Sequence, residues 1–219
     1  MKDNFAKASE ALARFGLDAL LVTGASNRRY MTGFPSSAGV AVVTEKRAFF
    51  FTDSRYIEAA QKAIPGAEVR LCDRSHPYTD LINGVLAEYG VQKLGFEDGE
   101  MTVSTYNAYR EELKAELVPA QKLFVSLRQS KSREELDTMI RAQRIAEKAL
   151  EEVIPMLRGS CERDVAAELV YRMVRGGADD KSFDPIVVSG TKSSMPHGVP
   201  DGTVIGDGFV TIDFGCKLD

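Results

Sequence analysis

The apolar positions of this chain change period several times along its length. Phe5, Ala8, Leu12 and Phe15 recur at helical spacing, Gly16 stops that helix, and Asp18 to Val22 reads as a buried strand. Residues 38–43 and 47–52 are apolar runs parted by Glu45-Lys46, which predicts a hairpin. A helix is predicted from Ser54 to Ala63, closed by Pro65-Gly66, and residues 67–72 alternate as a half-buried strand would. Tyr78, Leu81, Ile82, Val85, Leu86 and Tyr89 share one helical face ahead of Gly90. Gln92 to Phe96 is a further strand, and residues 102–115 form a helix with a mixed face. Alternating strands and helices make the first part an α/β domain with a mixed sheet.

The pattern changes near Ser130. Ser132 and Glu135 stand at the spacing of a capping box. The long helix that follows carries Leu136, Met139, Ile140, Ala146, Ala149, Leu150, Val153, Ile154 and Leu157 on one stripe, with Pro155 near its end. A second helix runs from about Glu162 to Val174 and stops at Gly176-Gly177. Strand-like runs at 183–189 and 208–214 follow, joined by a Gly- and Pro-rich loop. The expected division is into residues 1–127 and 128–219.

Composition narrows the class. A chain of 219 residues with 44% apolar and 27% charged residues suits a soluble globular protein of one large or two modest domains. The net charge of −4 argues against a nucleic-acid footprint, which needs clustered Lys and Arg. No secretory signal and no membrane span stand out. Three scattered cysteines, Cys72, Cys161 and Cys216, make no disulfide framework and point to a reducing cytoplasm.

Chemistry concentrates late in the chain. Strand alternation puts Val210, Ile212 and Phe214 on one face of the last run, and Thr211 and Asp213 on the other. A carboxylate in so apolar a strand needs a cation or hydrogen-bond donors. A metal ion satisfies it; so would backbone N–H groups at the strand end. His197, between Pro196 and Gly198, lies on a loop, where functional side chains often sit and solvated ones also do. His76, before Pro77, reads as a surface residue without a partner in the sequence. Ser189-Gly190-Thr191-Lys192 has the S-x-x-K order, but no companion motif follows, so it reads as a chance match.

Longer segments carry a resemblance. Phe183-Asp184-Pro185-Ile186-Val187-Val188-Ser189-Gly190, Met195-Pro196-His197-Gly198 and Thr211-Ile212-Asp213-Phe214-Gly215 resemble the pita-bread metallopeptidases of family M24, in their Xaa-Pro aminopeptidase and prolidase branch. Asn27 to Phe34, Phe51 to Tyr56 with Ala59-Ala60, and Lys131-Ser132 with Glu134-Glu135-Leu136 extend it over nearly the whole chain. The resemblance implies a creatinase-type N-terminal domain followed by the first half of an α+β pita-bread domain. It implies metal-dependent hydrolysis of Xaa-Pro peptide bonds, with two divalent ions (manganese, cobalt or zinc) sharing a hydroxide nucleophile. Asp213 matches the first aspartate ligand. His197 matches the histidine beside the metals that contacts substrate and assists proton transfer, and Phe183 an aromatic position lining the proline pocket. Proline-containing peptides are the implied partners and a homodimer the implied assembly.

The second aspartate, the histidine and the two glutamates of the ligand set would fall beyond Asp219. The 219-residue chain is therefore expected to be inactive and to bind no metal by itself, with an open apolar edge that favours pairing or aggregation. The alternative is an association module on the same scaffold. A metal-free amidinohydrolase is disfavoured by the ligand-like setting of Asp213. Two departures stand out: Cys161 occupies a helix-start position where the family has threonine, an exchange expected to weaken the cap by about 0.5–2 kcal/mol, and Phe34-Pro35 is unusual in its loop.

Overall fold

The computed structural model describes residues 4–218. Packing divides the chain at Ser130 and Lys131. The first unit is built on a six-stranded mixed sheet of order β4-β3-β2-β1-β5-β6. Its strands are β1 (Ala19–Val22), β2 (Val40–Thr44), β3 (Ala48–Thr52), β4 (Glu68–Leu71), β5 (Lys93–Phe96) and β6 (Glu116–Pro119). β2 pairs antiparallel with both β1 and β3; the remaining pairs are parallel.

The central strands are apolar throughout because both faces are covered. Phe50 faces a core containing Phe5, Leu12, Leu123 and Phe124, whereas Phe49 and Phe51 face Ile82, Val85 and Leu86. One layer thus takes helices α1 (Asn4–Leu12) and α6 (Gln121–Gln129), and the other takes α4 (Tyr78–Tyr89). Thr44 closes the β2–β3 hairpin: its backbone N–H and hydroxyl both donate to the Arg47 carbonyl, at 2.8 and 2.9 Å. Gly39, at φ 144°, packs so close to Phe50 that a Cβ would lie 2.7 Å from the ring, so only glycine fits.

The structure departs from the pattern-based reading in several places. Helix α5 (Val103–Glu112) ends before residue 115, and the following residues form the edge strand β6, where Pro119 is tolerated. Helix α6 then extends to Gln129, so the expected division at residue 127 falls inside it. Helix α2 (Ala25–Thr32) is too polar to show an apolar period. Helix α3 (Ile57–Ala63) starts later than Ser54, because Asp53 first organises a turn, its carbonyl accepting from Tyr56 and Ile57. His76 has a partner after all. Its backbone N–H donates to Asp73 at 2.8 Å, and its Nδ1 lies 3.3 Å from the same oxygen.

The second unit contains α7 (Arg133–Val153) and α8 (Glu162–Arg175). It also contains two strand pairs, β8 (Ile186–Ser189) with β9 (Val210–Asp213), and the short β7 (Asp180–Lys181) with β10 (Cys216–Lys217). The capping box forms as read: Glu135 donates its N–H to Ser132 Oγ, and its carboxylate accepts from the Ser132 N–H at 2.6 Å. The apolar stripe of α7 is buried only in its second half. Ala146, Ala149 and Val153 pack on Val165, Leu169, Met173 and Val187, while Leu136, Met139 and Ile140 are exposed.

Candidate active site

The β8–β9 register decides which side chains share a face. Ile186 stands opposite Asp213, Val187 opposite Ile212, Val188 opposite Thr211 and Ser189 opposite Val210. Val187, Val210 and Ile212 belong to the core that packs on the helices. The other face therefore carries Ile186, Val188, Thr211 and Asp213. Asp213 is exposed, and among the described residues no hydrogen bond reaches its carboxylate. The strand-end alternative read from sequence, a carboxylate held by backbone N–H groups, is not what forms. The desolvation argument also lapses, because Asp213 is exposed even though Ile186 and Val188 share its face.

The segment carrying His197 lies against this same face. A 3₁₀ turn over Gly190–Ser194 leaves β8, and the Ser193 carbonyl accepts from Thr211 Oγ1 at 2.8 Å. Gly198 is buried so tightly on Val188 that a Cβ would stand 2.8 Å from Val188 Cγ1. The backbone at His197-Gly198 is thereby pressed onto Val188, the partner of Thr211, while Asp213 lies two residues on, roughly 7 Å along the strand. His197 itself is exposed. Phe183 is 44% exposed, with its ring beside Gly215, two residues past Asp213. The structure thus brings the His197 segment and Asp213 to one face, and sets Phe183 beside the strand that carries the carboxylate.

Sequence reasoning missed Glu162. This residue opens α8 and is fully buried. Its Oε1 accepts from Ser189 N at 2.8 Å and Ser189 Oγ at 2.9 Å. Its Oε2 accepts from Lys192 Nζ at 2.5 Å and, at a longer 3.4 Å, from Asp201 N. Lys192 also reaches Asp201 Oδ2 at 3.0 Å. The Ser189/Lys192 pair that looked accidental is therefore used, but to bind a carboxylate rather than to activate a hydroxyl. Burial pushes the Glu162 carboxyl up, yet Lys192 and the Ser189 and Asp201 donors outweigh it and hold it below its ordinary value. Hydrogen bonds from Thr203, with Lys192, hold Asp201 well below the carboxylate range, and Glu162 above all raises Lys192.

These directions set a pH window. The two depressed carboxylates contribute stability that is present above their ordinary values, about 4, and is lost as pH falls through the lowered ones. Lys192 contributes below its ordinary value, about 10.4, and that share is lost as pH rises through its raised value. The difference in melting temperature between wild type and Lys192→Met is therefore expected to be largest near neutrality and to vanish in strong acid. A difference that persists unchanged into acid would contradict the assignment.

Cys161 makes no side-chain cap, as its residue type implies. The loss is offset by backbone: the Glu162 and Arg163 N–H groups donate to the Thr203 and Asp201 carbonyls, each at 3.0 Å. Two of the orphan donors of the helix start are thus satisfied by the returning chain.

A profile of the Creatinase/Prolidase N-terminal domain matches residues 5–130, and one of metallopeptidase family M24 matches residues 137–219. The chain is 39% identical over 213 residues to an uncharacterized peptidase of Bacillus subtilis, YqhT, covering 96% of this chain and 60% of the relative. Among solved structures it resembles an Xaa-Pro dipeptidase from Bacillus anthracis, with 39% identity, TM-score 0.91, and coverage of 97% of this chain and 60% of that one. A prolidase from Pyrococcus furiosus superposes with TM-score 0.84 at 26% identity, over 96% of this chain and 65% of its own. The chain belongs to the creatinase/prolidase family of metallopeptidases, with a creatinase-type N-terminal domain followed by part of an M24 domain. It spans about 60% of the length of the relatives it matches.

Metallopeptidases of this family use divalent ions. Among the described residues, no three His, Cys, Asp or Glu side chains converge. Asp213, exposed and without a donor among the described residues, is a carboxylate able to serve as one ligand, and one carboxylate alone does not make a catalytic metal centre.

Proposed function

We propose that this chain supplies the substrate-facing histidine, the first metal-ligand aspartate and the proline-side wall of an Xaa-Pro peptidase, of aminopeptidase or dipeptidase type. The observation that carries the reading is the shared face of β8–β9, where the His197 segment lies over Val188 and Thr211 beside an unpartnered Asp213. A peptide bond to proline is a tertiary amide without an N–H, so recognition falls on the ring and the carbonyl. Phe183 offers an apolar surface to the pyrrolidine ring. His197 donates to the carbonyl oxygen as charge develops there. Asp213 contributes one carboxylate toward manganese, cobalt or zinc.

Proline-containing peptides are the substrates on this reading. Three free thiols suit a reducing cytoplasm, and no described helix is long and apolar enough to cross a membrane. A second reading, an association module, draws on one observation: among the described residues β9 pairs only with β8, and Phe209 beside it is 86% exposed. A homodimer is compatible with either reading.

With one carboxylate and one imidazole at the face, the 219-residue chain is expected to show no turnover of an Xaa-Pro dipeptide or an Xaa-Pro-Yaa tripeptide when supplied with manganese, cobalt or zinc. Metal-dependent release of product by this chain alone would overturn that expectation.

A further inference from the structure

We propose that Glu162 is a positioning residue for His197: one buried carboxylate clamps both stems of the 190–201 segment and so fixes the histidine over the Asp213 face. The inference rests on the role given to His197 above, but its test does not require turnover.

Between its stems the segment touches the strand pair through Ser193, whose carbonyl accepts from Thr211 Oγ1, and through Gly198, packed on Val188. It leaves β8 as a 3₁₀ turn, and its internal bonds are local, such as Met195 N to Lys192 O at 2.9 Å and Gly198 N to Met195 O at 3.1 Å. Its side chains from Met195 to His197 are exposed. The exposed stretch from Met195 to His197 therefore depends on those two contacts and on how the ends of the segment are fixed.

Both ends reach the Glu162 carboxylate, and the exit is also held by the Arg163 N–H at the Asp201 carbonyl. The entry is held by Oε1, through the Ser189 N–H and hydroxyl. The exit is held by Oε2, directly through Asp201 N and more strongly through Lys192, which bridges Glu162 and Asp201. The carboxylate is itself fixed. It stands on the first residue of α8, whose N–H donates to Thr203 and whose helix packs Val165, Leu169 and Met173 into the core. A functional side chain on a loop gains precision when rigid elements lock the loop's supports in this way. A carboxylate needed only for local burial would have no cause to engage both stems.

The chain has only two histidines, and His76 belongs to the other unit, so His197 is readily followed by ring NMR signals with His76 as internal reference. In Lys192→Met and Glu162→Gln, amide exchange over residues 195–201 is expected to rise about tenfold or more. The His197 ring signals should move toward those of an unstructured histidine, while His76 and the α8 core stay as in wild type. Lys192→Arg, which keeps a cation between the two carboxylates, should restore both readouts. Should Glu162→Gln fail to fold, Lys192→Met decides, because it leaves the Ser189 bonds in place. Unchanged exchange and unchanged His197 signals in a folded Lys192→Met protein would overturn the proposal. Loss of hydrolysis in any completed enzyme, with the exchange and His197 readouts as predicted, would count against the peptidase reading alone.

Discussion

Replacing Glu97 by leucine is expected to lower the unfolding free energy of the first unit by about 3–5 kcal/mol. Glu97 follows β5 and is fully buried. Its Oε2 accepts from Thr23 N at 2.5 Å, Gly24 N at 2.8 Å and Thr23 Oγ1 at 3.1 Å, and its Oε1 accepts from Asn27 Nδ2 at 2.7 Å. Gly24 is the N-cap residue of α2 and has no side chain to offer, so a carboxylate from the end of the neighbouring strand β5 does the capping. A Cβ on Gly24 would lie 2.6 Å from Glu97 Oε1, which keeps the position glycine. The rest of α2 depends on the same network. Arg28 donates to the Thr23 and Ser36 carbonyls, both at 2.7 Å, and Arg128 donates to Asn27 Oδ1 at 3.0 Å. Leucine at position 97 leaves the buried Asn27 amide without its acceptor, at about 1–3 kcal/mol, and the part-buried Thr23 and Gly24 N–H groups without theirs, at the lower end of that range for each. Glu97→Gln keeps an acceptor and should fall between leucine and wild type. Urea unfolding measures the series; a loss under about 1 kcal/mol for leucine, the ordinary net worth of one hydrogen bond, would refute the capping role.

The same network explains what the sequence concealed. Elements with an apolar period were legible: the α4 face before Gly90, the β2–β3 hairpin and the capped start of α7. Helix α2 was not, because Glu97 holds it from about seventy residues away and no local period marks such a contact. Strand β6 is short and ends in proline, and β7 and β10 are two residues each, below what alternation can signal. The exposed first half of the α7 stripe shows the converse: periodicity reports which face is apolar, not whether the described residues cover it.

The site was legible in a different way. Alternation gave Asp213 its face, and register confirmed that face and set the His197 segment against it. The roles of His197, Asp213 and Phe183 came from resemblance, since nothing in their spacing assigns them. Glu162 was passed over because a glutamate at a helix start is ordinary on its own. Its meaning lies in three segments that converge on it, around Ser189, Lys192 and Asp201.

The second large effect concerns Asp213. In its proposed role as a ligand, Asp213 cannot be traded for a neutral isostere without weakening the ion's hold and the charge stabilisation it supplies. Asparagine at 213 fits the exposed position without strain, so folding should be spared while catalysis is not. On the role proposed for His197, His197→Ala should be milder, about 10²–10⁴-fold in kcat, the range for losing one proton-transfer group. Both variants require a chain that carries the remaining ligands, which is obtained by joining residue 219 to the complementary segment of an Xaa-Pro dipeptidase relative.

The decisive measurement is hydrolysis of an Xaa-Pro dipeptide by that joined protein, with and without Asp213→Asn, at saturating manganese. The account predicts metal-dependent turnover that Asp213→Asn abolishes without loss of fold. A folded joined protein that cannot cleave the peptide, or one whose activity survives Asp213→Asn, would contradict it.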